Sequence, residues 1–150
     1  MPRQTRISAE AFAKQLFSKI RTDLPEGAAI PPEKRDRVSN ELVYFSIFLI
    51  DLGVYLVMQS SPNRQPMMDH FWDLVNASGI SMDFLNLRLQ TYTEAAKADS
   101  RAEALNKLGQ SFAWQCLMPS DSDVAAMGSR VAAQVTDEIV AMTLAHEIVL

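Results

Sequence analysis

The chain has a single cysteine, Cys116, among 150 residues. A lone thiol excludes an internal disulfide and a four-cysteine zinc site, and it fits a reducing compartment. Glycine is scarce too: five residues leave few tight turns and no Gly-rich phosphate loop. The Gly-x-Ser-x-Gly, P-loop and Gly-x-Gly-x-x-Gly signatures are absent, and with them the commonest hydrolase and nucleotide-binding patterns. The two histidines, His70 and His146, show neither a repeated Glu-x-x-His nor a His-x-x-x-His spacing. The sequence therefore predicts no metal, no cofactor and no enzyme. No segment sustains the apolar–polar alternation of a strand. The N-terminal MPRQTRISAEAFAKQLF is basic but lacks an apolar stretch of signal-peptide length, so the expected location is cytoplasmic.

What the chain does contain is helix-forming apolar residue. Its hydrophobic fraction is 48%, with eight methionines, and Met, Leu, Ala, Gln and Glu all favour helix. A chain of 150 residues reads as one domain, residues 1–150. It can bury about 68–70% of the surface exposed by the unfolded chain, so it needs no disulfide or metal to hold it.

Leu42 to Met58, LVYFSIFLIDLGVYLVM, is an almost unbroken apolar run with one carboxylate, Asp51, in its middle. Apolar residues lie on every side of this helix, not on one stripe, so it must be covered all round. Its eleven Leu, Ile, Val and Phe residues each favour insertion in a membrane by roughly 0.3–0.6 kcal/mol, against a penalty of roughly 2.5–3.5 kcal/mol for Asp51. The run falls short of the ~20 residues that a span needs. The other helices are amphipathic and need a common apolar partner. The expectation is thus a buried central helix and no membrane segment.

The whole pattern predicts an all-α bundle of about six helices. Residues 1–7 read as a flexible basic tail. Ser8 caps a first helix that runs to about Asp23, with Phe12, Leu16 and Ile20 inward. Leu24–Pro32 (LPEGAAIPP) is a Pro-rich connector. The central helix covers about 33–59, and a third helix runs from Pro66 to Ala77 with Gly79 closing it. Ser81 caps a fourth helix, and Ser100-Arg-Ala-Glu103 is a capping box that opens a fifth. Pro119 ends the fifth, and a long C-terminal helix follows over about 121–149.

Charge is uneven. Residues 1–37 hold eight Lys and Arg against five Asp and Glu, whereas 38–150 hold six against thirteen. A basic first helix beside acidic helices accounts for this. The acidic remainder argues against nucleic-acid binding, which needs a contiguous basic face.

Three groups of residues are candidates for function. Asp51, a carboxylate on a buried helix, needs a partner or a proton. Tyr44 and Tyr55 share its stripe, and Arg88 or Arg130 can reach it from another helix; together Asp51, Tyr44 and Tyr55 would line a pocket for a small apolar ligand. Met68 and Trp72 stand away from the inward stripe of the third helix, and Trp114 crowds the end of the fifth; these three read as a partner surface. Cys116 continues the Leu105–Leu108–Phe112 stripe and reads as a buried small hydrophobe. The leading expectation is a non-catalytic interaction, regulatory or adaptor protein with a protein partner or a homodimeric state; the alternative is an apolar-ligand-binding protein with its pocket beside Asp51.

Overall fold

Helices form where the apolar periodicity predicts them in the computed structural model of the chain, which describes residues 3–25 and 27–150. They are α1 (Ala9–Phe17), α2 (Arg35–Met58, entered through a 3-10 turn at Pro32–Lys34), α3 (Arg64–Ala77), α4 (Met82–Ala95), α5 (Arg101–Gln115) and α6 (Ser122–Leu144). The fold is all-α, with one short two-stranded sheet besides the helices. Four of the helices start as the sequence predicts. The hydroxyls of Ser8, Ser81 and Ser100 accept the N–H groups of Ala11, Phe84 and Glu103, and the Asp121 carboxylate accepts those of Asp123 and Val124. Each bond satisfies a donor that has no partner within the helix.

Helices α2, α4, α5 and α6 pack into a bundle in which α6 makes its most extensive contacts with α5 and α2, and α1 lies against α3. One apolar core runs through both groups, from Ala9 to Ile148. α2 is the central element: Val38, Leu42, Phe45, Ile47, Phe48, Leu49, Ile50 and Val54 are all buried. By length and composition Pro32–Met58 is apolar enough to cross a membrane, with a mean hydropathy of 1.9 over its most apolar window, and 56% of that window is buried inside the fold. Its C-terminal turn stays open, where Tyr55 and Leu56 are each half exposed.

The ends of the chain differ from expectation. Residues 5–7 are not a free tail: Thr5–Ser8 forms strand β1, paired in parallel with β2 (His146–Val149), with Ile7 opposite Ile148. Residues 1 and 2 of the expected tail lie outside the described residues. The last helix accordingly stops at Leu144 and does not run on to 149. Burial of Ile148 against the core, together with the ladder to β1, outweighs the continuing helical period. α1 is also shorter than predicted. Past Phe17 the backbone N–H of Arg21 donates to the buried Ser46 hydroxyl on α2, 3.0 Å away, drawing the chain across the bundle. The basic N-terminal segment meets acidic neighbours of its own chain, with Lys19 on Glu138 at 2.9 Å and Arg6 on Glu147 at 3.2 Å.

Candidate functional site

The C-terminal half of α2 floors an open trough. On one side it is bounded by the turn between α4 and α5, and on the other by α5 and α6. Its larger section, about 570 Å³, is lined by Leu52, Leu56, Leu105, Leu108 and Val140, with Ala96, Ala98 and Ala104 leaving the space. Small side chains at the crossing of three helices cannot fill the gap between them, and this creates the hollow. Arg101 and Asp137, paired at 2.8 Å, are among its polar lining. A second section of about 280 Å³ shares Leu52 and Ala96 with the first and adds Phe48, Asp51, Tyr55, Thr93 and Lys97.

Two of the three residues read from the sequence as a ligand pocket therefore meet in one place. Asp51 and Tyr55 line the same section of the trough, while Tyr44 lines neither section and packs against the core. The hollow is open to solvent and not an enclosed cavity. The Asp51 carboxylate accepts no hydrogen bond among the described residues. Burial pushes its carboxyl pKa up, and the Arg64 charge opposes this only in part. The Arg64 guanidinium lies over the Tyr55 ring, 5.1 Å from its centroid.

This shift fixes a sign for the pH dependence. A folded carboxyl that holds its proton more tightly than the unfolded one adds stability below the ordinary value of 3.8, and that stability is lost as pH climbs through the raised value. Asp51→Asn, which cannot ionise, is expected to be more stable than the native protein at pH 7 and to lose this advantage at pH 3.5. Urea midpoints at the two pH values check it; an equal difference at both would mean that the Asp51 environment is misjudged.

Arg88 does not reach Asp51. Its Nε donates to both carboxylate oxygens of Glu41, at 2.9 and 3.0 Å, and the Tyr92 hydroxyl donates to Oε2 of the same carboxylate at 2.7 Å. Glu41 is only 4% exposed and is the buried acid of this fold, which the sequence reading missed. A signal was present: Glu41 is three residues after Val38 and four before Phe45, on the inward stripe of α2. Burial raises the Glu41 pKa against the pull of the Tyr92 and Arg88 hydrogen bonds. The Tyr92 pKa is raised well above its ordinary value by burial and by the Glu41 charge.

The expected partner surface divides. Met68 is 1% exposed and belongs to the core, a correction to the sequence reading. That reading gave α3 one inward stripe, but α3 is packed by α1 as well as by α2, and both Met67 and Met68 are covered. Trp72 is half-buried, edge-on to Phe71. Trp114 is 64% exposed at the end of α5, near the exposed Leu117. Leu117 adopts φ 57°, and the N–H groups of Leu117 and Met118 close the helix on the carbonyls of Trp114 and Ala113.

The reactive groups do not converge. Cys116 is buried, and burial and the Glu41 charge push its thiol up to about 12, so it holds no nucleophilic thiolate at neutral pH. Glu138 is engaged by Lys19, and the His146 Nδ1–H donates to the Met142 carbonyl at 2.7 Å. His70 faces solvent on α3. Among the described residues no three His, Cys, Asp or Glu side chains group where they could hold a metal ion. The chain matches no protein-family model, no curated protein and no solved structure.

Proposed function

We propose that this protein is a non-catalytic interaction module that receives an apolar segment of a protein partner in the trough along α2. The observation that carries this reading is the trough itself: Leu52, Leu56, Leu105 and Val140 line a channel open to solvent above the buried Leu108, and Leu56 stands 50% exposed. Contiguous apolar surface left uncovered marks a contact site more often than it marks a monomer's ordinary exterior. Asp51 and His146 line different hollows, Cys116 is buried in the core and His70 faces solvent, an arrangement that favours binding over chemistry.

The reading is tested by affinity capture with the native protein, Leu56→Glu and the remote surface variant Trp114→Glu. A charge placed in a desolvated contact costs about 2 kcal/mol or more, a thirtyfold loss. The partner expected is one held by the native protein and by Trp114→Glu but lost with Leu56→Glu. Retention by all three would place the contact elsewhere. A homodimer is the special case in which light scattering shows the native mass halved by Leu56→Glu.

The volume of the larger section also supports a second reading. About 570 Å³ lies within the range of small-molecule pockets, and such pockets combine an apolar lining with a few polar groups, here Ser100, Arg101, Thr136 and Asp137. Stoichiometric binding of an apolar fluorophore, abolished by Ala104→Phe, with no protein captured, would select it.

A further inference from the structure

α4 is the least embedded helix of the fold. Of its 14 residues only Leu85 and Tyr92 are buried, whereas α3, of the same length, buries four. Met82, Leu89 and Ala95 are partly buried against the core, but Phe84 and Leu87 are 58% and 56% exposed. The packing partners of α4 are α2 and α5. An element that buries so little apolar surface opens more readily than the core it covers.

The polar ties of α4 converge on one point. Arg88 Nε and the Tyr92 hydroxyl both donate to the Glu41 carboxylate on α2. The Thr91 and Thr93 hydroxyls turn back to the Leu87 and Leu89 carbonyls of α4 itself. Among the described residues every side-chain hydrogen bond that joins α4 to another helix therefore ends on Glu41. Both flanks can act as hinges. Gly79, before α4, takes φ 86°, and a Cβ there would meet nothing within 4 Å. Lys97, Ala98, Asp99 and Ser100, after it, are all exposed. On its inner side the Tyr92 ring lies 4.8 Å from Phe45 and 5.6 Å from Phe48. Thr93, with Ala96 just beyond the helix, walls the Asp51 section of the trough.

We propose that α4 is a lid: it undocks from α2 as one unit when its bonds to Glu41 break, uncovering Phe45 and Phe48 and widening the Asp51 section of the trough. Glu41 is the latch, and Arg88, already partly in solvent, can turn to water as it opens. Cys116 sits near both Glu41 and Tyr92, close enough for their charges to interact, so its thiol is uncovered by the same motion. The motion needs no partner and stands apart from the role proposed for the trough.

The experiment is native-state amide hydrogen exchange of the whole protein, with iodoacetamide labelling of Cys116, the single cysteine, as a second reporter. The hydrogen-bonded amides of α4 are expected to exchange as one block, at least ~100-fold less protected than the slowest amides of α2 and α6. Cys116 should label with the protection of the α4 block. Tyr92→Phe removes one latch bond and should speed both about fivefold. Phe12→Leu loosens α1, which packs on α3; it should speed the slowest amides and leave α4 and Cys116 unchanged. The proposal is overturned if α4 is as protected as the slowest amides, or if its amides show graded fraying that ignores Tyr92→Phe. It is equally overturned if α4 follows Phe12→Leu, or if Cys116 labels only with the protection of the slowest amides.

Discussion

Gly109→Ala is expected to lower stability by about 3 kcal/mol, the upper end of what overpacking usually costs. For a chain of this size that corresponds to a fall in Tm of roughly 6–12 °C. In an isolated helix the same change would help, since alanine is favoured over glycine by ~0.5–1 kcal/mol. The difference lies in the crossing of α5 and α6. A Cβ at Gly109 would overlap the Ala125 carbonyl oxygen and the Ser129 hydroxyl, and would lie 2.9 Å from the Ser129 nitrogen. Two of these atoms are backbone and cannot rotate away, so the helices must separate. Separation would also strain the bond from the Ser129 hydroxyl to the Leu105 carbonyl, 2.9 Å long. Gly53→Ala meets Cβ and Cγ2 of Ile139 at 2.8 Å and the Thr136 carbonyl oxygen at 3.4 Å; these approaches are less close than those at Gly109, so it should cost less. Urea unfolding followed by circular dichroism ranks the two variants; a Gly109→Ala protein within ~0.5 kcal/mol of native would mean that α5 and α6 are further apart than described. Because Leu105, Leu108 and Thr136 line the trough from these two helices, the same variant should also change its width.

The scarcity of glycine was visible in the sequence, but its use was not. Gly53, Gly109 and Gly128 sit inside helices at close approaches, while Gly27 and Gly79 take positive φ in turns. Only the position of Gly79, just past an apolar stripe, showed its role in advance, because a helix end is a local event. A helix crossing is set by residues far apart in sequence. The same distinction separates the helices that were legible from the strands that were not. Ser8, Ser81, Ser100 and Asp121 announce helix starts through neighbours two or three residues away. β1 and β2 are four residues each and pair across nearly the whole chain, too short for a period of two to register and too distant for any local signal. At the trough, Asp51 and Tyr55 were readable as one helix face. The alanines of the α4–α5 turn and α5, which make the space, carry no signal of their own.

Glu41→Ala is expected to cost about 3–5 kcal/mol, the usual result of breaking a buried charged network from one side. Two groups depend on this carboxylate unequally. Arg88 keeps part of its side chain in solvent and can turn to water. Tyr92 is fully buried, and its hydroxyl, bonded only to Glu41 among the described residues, would be left without an acceptor at a cost of ~1–3 kcal/mol. The rest is the cavity left beside Phe45 and Tyr92, whose rings lie 4.8 Å apart. Tyr92→Phe alone should therefore cost about 1 kcal/mol, and the double variant should lose less than the two single losses added together. Glu41→Gln still offers Tyr92 an oxygen and should be milder. Since burial raises the Glu41 pKa, the native protein loses stability as pH rises through that value, whereas the Gln variant does not. The gap between them should narrow from pH 4.5 to pH 7. The single buried thiol reports the opening directly: Cys116 is held up at about 12 partly by the Glu41 charge, so labelling of Cys116 should be markedly faster in Glu41→Ala than in the native protein. A loss below ~1 kcal/mol with unchanged labelling would show that the Glu41–Arg88–Tyr92 network does not fasten α2 to α4, and that apolar packing of Phe45 and Phe48 on the Tyr92 ring holds the two helices by itself.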